Sequence, residues 1–167
     1  MQQMNKIFSL VLFCSLFVTT TALAQLAPIG VSIDDVKAKE GDQLCLPVKV
    51  YNFQGMLSMQ YTIQFDPEKL QFVGVINQQL PYLTTNNFGL HNAQKGLITV
   101  VWIDNSLKGV NKEEGEDVFT LCFRVKAAAG EEFDVKFTDK PTPFESVNLA
   151  EQVVGINTKD GKIKVVK

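Results

Sequence analysis

The chain has 167 residues, 16 basic and 18 acidic side chains and one histidine, for a net charge near −2. That length suits a single domain. The slightly acidic balance, with lysines interspersed, argues against nucleic acid, which needs a basic patch. The lone His91 has no companion histidine and no metal-spaced cysteine, so zinc or nucleophilic chemistry has little to work with.

The first residues have the layout of a secretory signal. Lys6 precedes an apolar run from Ile7 to Val18, and small residues Ala22 and Ala24 follow. The run is shorter than the roughly 20 residues of a membrane span. Residues 1–24 are therefore expected to be a signal peptide, and 25–167 one secreted, extracellular or cell-surface domain, with the periplasm an alternative. Cys14 leaves with the signal, so Cys45 and Cys122 remain.

Along the rest of the chain the dominant period is two. Leu44, Leu46, Val48 and Val50 alternate with Cys45, Pro47 and Lys49. Met59, Tyr61, Ile63 and Phe65 alternate with Gln60, Thr62 and Gln64. Phe119, Leu121, Phe123 and Val125 alternate with Thr120, Cys122 and Arg124, and the same pattern recurs at Phe133–Phe137 and Ile163–Val165. One apolar and one polar face per run is the mark of strands half-buried in a sandwich. Turn signals separate them: Glu40-Gly41-Asp42, Asp66-Pro67, Lys95-Gly96, Ala129-Gly130 and Asp160-Gly161. The pattern predicts an all-β fold, an antiparallel sandwich with jelly-roll topology and about nine strands. Glu145–Gln152 is expected to form a helical turn, and Asn77–Gln94 an irregular stretch with a short edge strand.

The strand Leu97–Ile103 is apolar on both faces. With Ile98, Val100 and Trp102 inward, Leu97, Val101 and Ile103 face outward. They form either a contact stripe or a surface covered by Asn77–Gln94. Asp104-Asn105-Ser106 and the acidic run around Glu113 lack calcium-loop spacing. No cofactor, metal or catalytic residue is expected. For Cys45 and Cys122, export favours a disulfide. Both lie on outward-facing sets of long strands, and placement in opposite sheets would keep them apart. Both alternatives stand.

The ordered features resemble a cohesin domain, the module that receives dockerins in cellulosome-type assemblies. They are Val31–Ile33, Glu40-Gly41-Asp42, Leu46-Pro47-Val48, Gln64-Phe65-Asp66-Pro67, Ile98–Ile103 ending in Asp104-Asn105-Ser106, Phe119–Lys126, Asn148–Gln152 and Asp160-Gly161-Lys162-Ile163. The resemblance implies a nine-stranded flattened jelly roll and a dockerin-like partner on one outer face. Carried over by position, that face would present Ser58, Gln60, Thr99, Val101, Asp104, Thr120 and Arg124. Ser58, Gln60 and Asp104 stand where type I cohesins carry Asn, Asp and Glu, so two of those three roles are altered. The family also lies near carbohydrate-binding modules, so a glycan stacked on Tyr82 or Phe88 is the alternative ligand.

Overall fold

The computed structural model describes residues 26–167; the expected signal peptide lies outside them. The described chain forms thirteen strands: β1 (Ile29–Ile33), β2 (Val36–Lys39), β3 (Gln43–Tyr51), β4 (Met56–Gln64), β5 (Leu70–Ile76), β6 (Phe88–Gly89), β7 (Leu97–Ile103), β8 (Glu116–Val125), β9 (Glu132–Thr138), β10 (Glu145–Asn148), β11 (Val153–Val154), β12 (Ile156–Lys159) and β13 (Gly161–Val166). The count exceeds nine because both ends of the chain and the Glu145–Lys159 segment break into short strands. None of the described helices is long and apolar enough to cross a membrane.

Two sheets face each other. One has the order β12-β1-β3-β8-β5. In the other, β4 is central: β7 lines one side and is edged by β6, while β10 and β9 share the opposite side. β11 extends from β10, and β13 and β2 extend from β9. The chain ends stitch the sheets together. β1 runs parallel to β12 in the first sheet, and their continuations β2 and β13 run parallel in the second. The crossing is tight: a Cβ on Gly161 would lie 2.3 Å from Ile33 Cγ2, so only glycine fits there.

The alternating apolar residues meet between the sheets. Trp102, Tyr61, Phe53, Phe119 and Phe123 are fully buried, and Phe65 packs edge-on against Phe123 at 4.9 Å between ring centres. Burying each such ring contributes roughly 1.5–3 kcal/mol. Inward-facing Ile98, Val100 and Trp102 are all 0% exposed.

The segment 77–96 closes one side of the sandwich. Leu80, Leu83, Phe88 and Ala93 are buried, and Trp102 Nε1 donates to the Pro81 carbonyl at 2.7 Å. It therefore lines the edge of β7, through the short strand β6, and leaves the outer face of β7 open.

Two expectations change here. Glu145–Gln152 is not a helical turn: Glu145–Asn148 pairs with β4 and turns back into β11. Side-chain acceptance by Asn148 of the Ala150 and Gln152 N–H groups makes the turn between them. Cys45 and Cys122 are bonded, because β3 and β8 are neighbours in one sheet and the two residues are direct cross-strand partners.

Candidate binding face

The outer face of β7, β4, β10 and β11 is built by strand register. Across β4, Gln60 stands opposite Val101 on one side and Glu145 on the other. In the next row Ser58 stands between Ile103 and Val147, and Val147 pairs with Val153. Side chains opposite each other on one face sit about 5 Å apart. The second row is thus a line of three apolar side chains with a small Ser58 between the first two. Val101 is 40% exposed, Ile103 50% and Val153 72%. Leu107 and Leu149 are exposed in the loops that follow β7 and β10.

Neighbouring positions on the same face are occupied by the protein itself. Thr62 is fully buried: its hydroxyl donates to the Thr142 carbonyl at 3.1 Å and accepts from the Thr142 N–H at 3.0 Å. Thr99 is half-buried, and its hydroxyl fills the space above Gly89, where a Cβ would come within 2.2 Å of Thr99 Oγ1. The usable part of the face is therefore the end nearer Ser58 and Ile103.

Of the seven residues expected on one face, the structure brings four together: Ser58, Gln60, Thr99 and Val101. Asp104 follows β7 but is 1% exposed. Its carboxylate accepts from the Ser106 hydroxyl at 2.7 Å and from the N–H groups of Ser106, Lys108 and Gly109. The Ser106 hydroxyl and those N–H groups hold the acid below the usual carboxylate range. Asp104 shapes the loop rather than presenting a contact. Thr120 and Arg124 belong to β8, in the opposite sheet. Thr120 is buried there, and Arg124 donates to the Gly41 carbonyl at 2.9 Å.

The aromatics of the glycan alternative separate as well. Phe88 is 5% exposed and packs edge-on against Phe119, so it offers no platform. Tyr82 is exposed on a left-handed loop residue. Among the described residues no cluster of three His, Cys, Asp or Glu side chains could hold a metal ion. Sequence reasoning missed Glu145, Val147 and Val153, whose strands are too short to show a period.

Comparison with known proteins bears on this architecture. A sequence profile of the cohesin domain matches residues 29–165. A cellulosome-anchoring protein of Acetivibrio thermocellus is 24% identical over 155 residues, covering 87% of this chain and 33% of that protein. The chain thus spans about a third of that relative's length. Among solved structures, the cohesin of a type I cohesin–dockerin complex from Clostridium thermocellum superposes with a TM-score of 0.70 at 18% identity, covering 83% of this chain and 99% of that one. The sixth cohesin of Acetivibrio cellulolyticus scaffoldin B, solved with a dockerin, gives 0.69 at 21% identity, covering 83% and 99%. A non-cellulosomal cohesin from the archaeon Archaeoglobus fulgidus gives 0.66 at 19%, covering 84% and 93%. The profile match spans both sheets, from β1 to β13, and on that ground the chain is a member of the cohesin domain family.

Proposed function

We propose that this protein is an exported, non-catalytic binding module that receives a dockerin-like extracellular protein on the outer face of β7, β4, β10 and β11. One observation carries the reading. Val101, Ile103 and Val153 are exposed and, with half-buried Val147, form an apolar field at the end of the sheet face nearer Ser58. Exposed apolar fields of this kind mark protein contact sites, and flanking Gln60 and Glu145 supply a polar rim. Family membership supports the same reading, since related cohesins have been solved in complex with dockerins. The similarity to a cellulosome-anchoring protein supports a place in polysaccharide-degrading or cell-surface assemblies. Ser58 and Gln60 favour a partner that differs from ordinary type I dockerins. Burial of Phe88 weakens the glycan reading on the Tyr82 side.

The test is calorimetric titration of the mature protein with a panel of purified dockerin domains. At least one is expected to bind, and Val101→Asp should abolish the heat while leaving the thermal melt unchanged. A dockerin bound equally well by Val101→Asp would place the site elsewhere.

A further inference from the structure

A second surface, on the sheet opposite the proposed protein-binding face, has the make-up of a small-ligand site. On the outer face of β1 stand Gly30 and Ser32, which have no side chain and a very short one. Tyr51 and Lys49 of β3 are their cross-strand partners on one side, and Asn157 and Lys159 of β12 on the other. Two small residues between two pairs of large ones leave a trough along β1. It has a volume of about 220 Å³. Drug-sized ligands occupy pockets of about 300 Å³ and more, so this trough suits one ring.

Its lining is chemically mixed. Tyr51 is 37% exposed. Its ring lies along the Gly30 backbone, where a Cβ would come within 3.3 Å of Tyr51 Cδ2, and its hydroxyl end abuts Gly115. The absence of a side chain at Gly30 thus leaves room for the Tyr51 ring to lie against β1. Ser32 is 4% exposed, and its hydroxyl has no hydrogen-bond partner in the protein. That hydroxyl lies beneath the surface, so Ser32 forms part of the floor of the trough rather than a contact. Lys49 is ion-paired with Asp34 at 2.6 Å. Lys159 is exposed and makes no ion pair among the described residues.

We infer that this trough binds a single acidic sugar ring, a hexuronate unit of an extracellular polysaccharide. The apolar face of the ring stacks on Tyr51, its carboxylate pairs with Lys159, and a hydroxyl bonds to Asn157. An aromatic platform beside an amide fits a sugar, and an unpaired lysine selects the charged one.

Trigalacturonate and cellotriose, titrated separately into the isotope-labelled mature protein, test this by amide NMR. Trigalacturonate is expected to shift the Gly30, Ser32 and Asn157 resonances, and to bind at least about fivefold more tightly than cellotriose. Tyr51→Ala should weaken it about tenfold and Lys159→Gln about fivefold. The exposed Asn157→Ala reads the same site if Tyr51→Ala fails to fold. Val101→Asp, on the other sheet, should leave the titration unchanged. Absence of shifts at millimolar sugar, shifts at another surface, equal binding of cellotriose, or indifference to Lys159→Gln would each overturn the inference.

Discussion

Cys45 on β3 and Cys122 on β8 stand opposite each other with Cα atoms 4.0 Å apart, and their disulfide spans 77 residues of sequence. The bond ties the central strand pair of one sheet. In the unfolded chain it closes a long loop, and that restriction stabilises the native state. The Cys45→Ala/Cys122→Ala double variant is therefore expected to reach the same sandwich with about 2–4 kcal/mol less stability. Urea denaturation of the two proteins measures the loss; coincident midpoints would contradict it.

Asp104 gives the fold a signed pH dependence. Its bonds to the Ser106 hydroxyl and to three N–H groups favour the ionised form, so its folded pKa lies below the unfolded one. The stability this supplies is complete above the ordinary carboxylate pKa, near 4. It is lost as pH falls through the lower folded value. Asp104→Asn should be less stable at neutral pH and should lose stability less steeply below about pH 4. Thermal melts across the acid range check this, and parallel pH profiles would rule out the assignment.

Alternation told which residues of each strand face inward, and Ile98, Val100 and Trp102 are buried as it implies. It did not tell which sheet a strand joins. Arg124 is exposed as expected and Thr120 is buried, but both belong to β8, on the other side of the molecule from Ser58 and Gln60. The same gap left the disulfide open, since outward residues on neighbouring strands of one sheet can meet. Phe88 could not be placed from sequence because a single aromatic in a two-residue strand has no period. Glu145, Val147 and Val153 became visible only through pairing with β4 and with each other.

The tight crossing at Gly161 makes a separate prediction. A methyl group there would press on Ile33, whose Cγ2 and Cβ lie 2.3 and 2.9 Å from the added carbon. Ile33 is fully buried and has nowhere to move. Gly161→Ala should cost about 1–3 kcal/mol through overpacking. The added Ile33→Leu change should recover part of it, because leucine is not branched at Cβ and so carries no Cγ2 at the point of contact. Denaturation of the single and double variants measures both steps, and additive losses would show that the contact is not the cause.

The division between the sheets also predicts which charges matter for the partner. Arg124 lies on β8 and spends its guanidinium on the Gly41 carbonyl, whereas Ile103 lies half exposed beside Ser58 on the apolar field. For any dockerin bound by the wild-type protein, Arg124→Ala should change affinity by no more than about twofold. Ile103→Asp should weaken it about 30-fold or more, since it places an unpaired charge against a desolvated contact. Side-by-side calorimetry of the two variants reads the contrast. A large loss with Arg124→Ala and none with Ile103→Asp would move the partner to the β3–β8 sheet.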